Sequence, residues 1–164
     1  MIIPTKWPKR RENIHMQRLK AWLPVMIWMG VIFAMSAMPG DVSGEQSGML
    51  VSIVLGILSF LFGEEAAAGV SLELIHLLIR KGAHMTEYAV LFFLCFRALR
   101  MQQAKRPGWY ALLLCALYAA TDEFHQGFVA GRGPSLMDTG IDTLGAGAAW
   151  GIMQIISRIK RKRN

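Results

Sequence analysis

Three short segments of an otherwise apolar chain carry side chains able to exchange protons, hold ions or clamp an anion. The first holds Arg80, Lys81, His84, Glu87 and Tyr88. The second, TDEFHQ, holds Asp122, Glu123 and Gln126, and the third holds Asp138 and Asp142, with Arg132 in the connection GFVAGRGPS. On a helix, His84, Glu87 and Tyr88 stand at i, i+3 and i+4 and share a face, and Asp122 with Gln126 and Asp138 with Asp142 are each one turn apart. Such a set suits acid–base chemistry: Asp122 or Glu123 as base, His84 as acid or ligand, Arg132 as clamp for a phosphate or carboxylate. Glu87 is a further catalytic candidate, while Arg80, Lys81, Tyr88, Gln126, Asp138 and Asp142 are candidate binding groups. With His84 neutral, the five carboxylates outnumber Arg80, Lys81 and Arg132 by two. Shared protons, a divalent cation or a cationic partner group would offset that excess. His84, Asp122, Glu123 and Asp138 would suit a metal with mixed nitrogen and oxygen ligands, although no zinc motif such as HExxH is present.

These residues need membrane helices to position them. Fifty-four per cent of the 164 residues are hydrophobic and the mean hydropathy is +0.36, too apolar for an ordinary soluble domain of this size. Ala21–Gly40 is uncharged and about as long as the ~20 residues a spanning helix requires. Further spans are expected near 82–99, 108–126 and 138–157 if the polar groups are tolerated, giving an all-α integral membrane protein of about four spans, the first near 22–38. With both termini in the cytoplasm, 15 of the 18 cations fall inside, leaving only Arg80, Lys81 and Arg132 outside, as the positive-inside rule asks. Of the acids only Glu12 lies inside. The whole chain then reads as one domain: a basic lead over 1–21, a helical bundle over 22–157 and a basic tail over 158–164.

Gln46–Gly63 is uncharged too, but counting it as a fifth span would split the cations 9 against 9. Its apolar core, 49–62, is short and interrupted by Ser52, Gly56 and Ser59, so a re-entrant or interface-lying segment is expected. SLELIHLLIRK over 71–81 places Leu72, Ile75, Leu78 and Ile79 on one stripe and reads as an amphipathic outer helix. Small residues after the first apolar run permit a signal-peptide reading, but the twenty-residue basic lead favours an uncleaved anchor. The pI near 9.9 does not point to nucleic acid, because the cations sit in short segments beside spans, where anionic lipid accounts for them. Cys95 and Cys115 fall within spans and read as buried thiols.

The spans' directions bring the outer ends of the second, third and fourth together, so the three polar segments meet at one depth in the outer leaflet. Structural readings compete at several positions. Ser135 fits a helix N-cap with Asp138 favouring the dipole, Arg80 and Lys81 fit snorkelling anchors, Tyr88 fits an aromatic belt, and His125 falls off the Asp122–Gln126 face. Ionisable groups are costly inside a bilayer and tend to pair or face inward, so a polar pocket is the economical arrangement. A structural ion-pair network is its alternative.

At these residues the sequence resembles the VanZ family of small membrane proteins associated with teicoplanin resistance. SAMPG resembles that family's Ser-x-x-Pro-Gly segment, with Met38 where a polar residue is common. RKGAHMTEYAVL resembles its Arg-Lys-x-x-His-x-x-x-Tyr block, TDEFHQGFVAGR its Asp-Glu-x-x-Gln…Gly-Arg block, and SLMDTGIDTLGAGAAWG its closing helix. The resemblance covers most of the chain and implies His84, Tyr88, Asp122, Glu123, Gln126, Arg132 and Asp138 as shared polar positions; at Asp142 the family has Asn or Asp. It implies a multi-pass protein of the bacterial cytoplasmic membrane that lowers susceptibility to a lipoglycopeptide, with its polar site facing outward. Its partners would be membrane lipid and a lipid-linked cell-wall precursor or the lipoglycopeptide itself, bound or modified at headgroup depth. A hydrolase or transferase acting on a lipid-linked phosphate or sugar, and a scaffold without chemistry, are the alternatives. Oligomeric state is left open.

Overall fold

The computed structural model describes residues 16–163, without the side chains of 40–47 and 66, so most of the basic lead lies outside the described residues. Helix is the only regular secondary structure among them. The elements are α1 (Leu23–Ser36), α2 (Gly40–Phe62), α3 (Glu64–Ala68), α4 (Leu72–Met101), α5 (Pro107–Gln126) and α6 (Leu136–Arg163). Residues 16–20 are also helical, and the helix Met16–Ser36, of mean hydropathy 1.6, is the one among the described residues long and apolar enough to cross a membrane by length and composition.

Each helix begins where local chemistry allows it. α1 and α5 have proline in their first turn, where the missing N–H costs nothing. Ser71 caps α4 by accepting from the Leu74 N–H at 3.4 Å, and Ser135 caps α6 by accepting from the Asp138 N–H at 3.3 Å, as the sequence predicts for the latter. Gly63 ends α2 at φ 90°, a left-handed conformation open to glycine, and Gly131 makes the α5–α6 turn at φ 74°.

Two boundaries differ from expectation. The expected segment 49–62 is the C-terminal part of the 23-residue helix α2, and the expected outer helix 71–81 continues without a break through 82–99 as the 30-residue α4. One interior glycine costs a helix about 1 kcal/mol and does not end it, so Gly48, Gly56 and Gly82 are all absorbed. α2 packs antiparallel on the start of α4: Leu50 shares one cavity with Ile79 and Ala83, while Leu55 and Ser59 share another with Leu72.

The bundle proper is α1, α4, α5 and α6, with α4 against α6 its most extensive pairing. Its interior combines Val25, Ile32, Tyr88, Leu91 and Phe92 with small residues, Ala98, Ala111, Cys115, Ala119, Gly145 and Ala146, and buries Asp122, Glu123, Gln126 and Asp142 as well. Large aliphatics point outward, including Met26, Ile27, Leu113, Leu117, Ile152 and Ile155. A water-soluble bundle would bury those side chains and expose the carboxylates. Cys95 and Cys115 are buried free thiols.

Candidate functional site

Polar groups from α1, α4, α5 and the α5–α6 connection surround a cavity of about 130 Å³ at one end of the bundle. Arg80, His84 and Glu87 reach it from α4, Asp122 from α5, Arg132 from the connection and Ser36 from the last turn of α1. Ser36 is 4 % exposed and is not among the residues that spacing singles out, because a serine in an apolar helix end carries no such signal. Apolar Ile32 and Leu50 complete the wall.

Behind this wall the carboxylates divide into distinct roles. Gln126 Nε2 donates to Asp122 Oδ2 at 3.2 Å, bridging one turn of α5. Glu123 Oε2 accepts the Ser135 backbone N–H at 2.8 Å and so ties the end of α5 to the start of α6. Lys81 pairs with Asp138 across α4 and α6. Asp142, a turn deeper, has no exposure, and its Oδ1 lies 3.4 Å from His84 Nδ1. That spacing is an ion-pair distance without hydrogen-bond geometry, since neither atom has a hydrogen-bond partner.

Several other buried polar atoms have no hydrogen-bond partner among the described residues: Tyr88 Oη, Asp122 Oδ1, Glu123 Oε1, Asp142 Oδ2 and Arg132 Nε. Buried groups of this kind are ordinarily satisfied, and Asp122 and Arg132 among them line the cavity. Arg132, in the connection, is shifted below the ordinary arginine range by burial, with the Arg80 guanidinium adding to the effect.

The arrangement sorts the candidates. His84, Glu87, Asp122, Arg132 and Arg80 share the cavity; Gln126 and Asp142 each contact one of these; Lys81, Glu123 and Asp138 brace the helix ends. Tyr88 is fully buried in the bundle, not in an aromatic belt. His125 is half-buried with its ring 4.2 Å from that of Phe33, so it packs against α1. The four residues expected as metal ligands do not come together as a set. No group of three or more His, Cys, Asp or Glu among the described residues is spaced to hold a metal ion, because Glu123 and Asp138 are drawn to Ser135 and Lys81.

α1 is anchored by two hydrogen bonds with partner helices, one donated by α1 and one accepted by it. Trp28 Nε1 donates to the Glu87 carbonyl at 2.9 Å, and Tyr118 Oη donates to the Met29 carbonyl at 2.6 Å. The first of these holds α1 at the turn of α4 that presents Glu87, which is why Ser36 reaches the cavity.

Lys81 and Asp138 are partly shielded, with side-chain exposures of 23 % and 14 %. Their pairing therefore belongs between the weak surface class and the strongly coupled buried class. A double-mutant cycle of Lys81→Met and Asp138→Leu, read by thermal denaturation in detergent, is expected to show coupling of about 1–2 kcal/mol, with the double variant more stable than the sum of the singles implies. Additive losses would mean that the two side chains act independently.

The VanZ/LLP1 family model matches residues 21–157, from just before α1 through most of α6. No curated protein and no solved structure is significantly similar to the chain.

Proposed function

The chain belongs to the VanZ/LLP1 family, and from that premise we propose that it is a four-span protein of the bacterial cytoplasmic membrane whose outward-facing polar cavity engages an envelope component and lowers teicoplanin susceptibility. α1, α4, α5 and α6 are the spans, with both termini inside. The burial pattern supports this: Asp122, Glu123, Gln126 and Asp142 lie buried in the bundle while many large aliphatics are exposed on its outside, as expected of helices in lipid. The 20 residues of α5 extend ~30 Å, the thickness of a hydrocarbon core.

The observation that carries the functional reading is the convergence of His84, Glu87, Asp122 and Arg132 from separate segments on one cavity. At about 130 Å³ it is smaller than the ~300–1,000 Å³ of pockets for drug-sized ligands. It would take one polar moiety, such as a phosphate, a sugar or an amine, with the rest of an amphiphile left in lipid. Teicoplanin carries a lipid tail and its target is lipid-linked, so a headgroup-depth site is placed to meet either.

Asp122→Asn and Arg132→Lys keep side-chain shape while removing a charge and a fork-shaped clamp. Expressed at wild-type level in a susceptible bacterial host, each is expected to abolish the rise in teicoplanin inhibitory concentration conferred by the parent chain. Unchanged resistance with both variants would leave a scaffold role. Impermeant-maleimide labelling of single cysteines at 84, 122 and 138 checks the geometry, since all three are expected to react from outside, and reaction from opposite sides would remove the cavity.

One contact favours a second reading, a hydrolase or transferase on a lipid-linked phosphate or sugar. A fully buried carboxylate facing one ring nitrogen of a histidine leaves the other nitrogen for proton exchange, the arrangement by which a base is oriented by a third group. In that reading His84 handles the proton and Arg132 holds the anion. Turnover of a lipid-linked precursor by purified protein, lost with His84→Gln, would select it.

A further inference from the structure

The opposite end of the bundle holds a second, larger cavity that none of the outer polar residues serve. It occupies about 420 Å³ and is lined by Arg100, Arg106, Gln154, Phe96, Trp109 and Trp150. Sixteen residues of α4 separate Arg100 from His84, so the two sites lie ~24 Å apart along the helix. Among the described residues neither arginine pairs with an acid, and the nearby chain adds only cations: Arg97, Lys105 and the tail Arg158–Arg163.

The apolar side of this cavity is rigid. Trp150 stands edge-on to Trp109 at 4.8 Å and 6.3 Å from Phe92. Gly108 makes that packing possible, since a Cβ there would lie 2.6 Å from Trp150 Nε1. The Arg100 guanidinium is held 5.9 Å over the Phe96 ring, which fixes its direction without neutralising it. Arg106 is the residue before α5, whose first turn has no side-chain cap and no acid, so the helix N-terminus reinforces the positive potential.

We infer that this cavity binds the phosphate headgroup of an anionic membrane phospholipid, with the acyl chains running over the aromatic wall. Charge complementarity identifies the headgroup and the adjoining tryptophans identify an amphiphile in place of a free anion. The leaflet rests on the membrane orientation proposed above, in which this end faces the cytoplasm. The site would anchor the inner ends of α4, α5 and α6 independently of the outer cavity.

Native mass spectrometry of the full chain in detergent, titrated with phosphatidylglycerol or with phosphatidylcholine of the same acyl composition, tests it. One phosphatidylglycerol per chain should be retained at roughly tenfold lower lipid concentration than phosphatidylcholine, in keeping with two basic side chains acting on an anionic headgroup. Arg100→Gln/Arg106→Gln should remove the preference, and Lys160→Gln/Lys162→Gln, in the exposed tail, should keep it. Equal retention of both lipids, a preference that survives in the Arg100/Arg106 variant, or equally tight binding of glycerol phosphate would each overturn the assignment. Labelling of Ser157→Cys from outside intact cells would overturn the orientation and with it the leaflet, whereas a cytoplasmic Ser157→Cys with no lipid preference would overturn the lipid site alone.

Discussion

Gly145→Val is expected to destabilise the bundle by about 3 kcal/mol or more, at or above the top of the usual range for overpacking. α6 crosses α4 at this position with no side chain between them. A Cβ on residue 145 would lie 2.7 Å from Met85 Cα and closer still to the Met85 carbonyl oxygen. Both are backbone atoms of a long helix, so no rotamer change relieves the clash; α6 as a whole must move away from α4. Because α4 against α6 is the most extensive pairing in the bundle, that movement loosens the contact holding His84 against Asp142 as well as the apolar packing around Ala146. Gly147→Ala and Gly151→Ala, where an added Cβ meets nothing within 4 Å, should be neutral or slightly stabilising, since alanine is the better helix former. Thermal denaturation of the detergent-solubilised variants reads all three. A Gly145→Val protein that melts with the parent would mean that α4 and α6 are not packed this closely.

The close approach at Gly145 also marks the boundary between what the amino-acid sequence makes legible and what it does not. The helical spacing of His84, Glu87 and Tyr88, of Asp122 and Gln126, and of Asp138 and Asp142 is visible because i, i+3 and i+4 relations are local. The all-helical class follows from apolar runs that only helices or closed barrels can satisfy in lipid. Which carboxylate meets which cation is not visible, because it depends on helix rotation and axial offset, and those are set by small-residue contacts such as Gly145 on Met85. A charge count treats Glu123 and Asp142 alike. In the fold one is tied to the Ser135 amide and the other is buried behind His84. Asp142 stands out in the sequence for lying a turn below any capping position, and that depth is the useful signal. The break expected between 81 and 82 rests on Gly82, and the continuous packing of α4 against α2 and then against the bundle offsets its cost. Ser36 is the serine of the SAMPG segment, but no helical spacing links it to the polar set, since its place beside the cavity follows from the Trp28 and Tyr118 hydrogen bonds that set the position of α1.

Although the resembling family carries Asn as well as Asp at this position, in this chain the carboxylate faces His84, and Asp142→Asn is expected to weaken the site while leaving the protein folded. The carboxylate has no exposure and its ion-pair contact is the His84 ring, so the expected route is through His84, with Asp142 as a positioning residue. At an ion-pair distance without hydrogen-bond geometry the carboxylate acts on His84 through charge, favouring the protonated ring and its direction, so an equilibrium that depends on either is expected to fall about tenfold. The amide is nearly isosteric and uncharged, so burying it without a full set of partners costs no more than burying the carboxylate did. The melting temperature should therefore hold or rise while the teicoplanin phenotype proposed above weakens. A double-mutant cycle distinguishes this route from a general structural effect. With His84→Gln already in place, adding Asp142→Asn should bring no further loss, because the group it positions is gone. If Asp142→Asn weakens resistance equally in both backgrounds, Asp142 acts on something other than His84. If the variant keeps full resistance, the buried pair is structural and the functional residues are those that line the cavity directly: Asp122, Glu87 and Arg132.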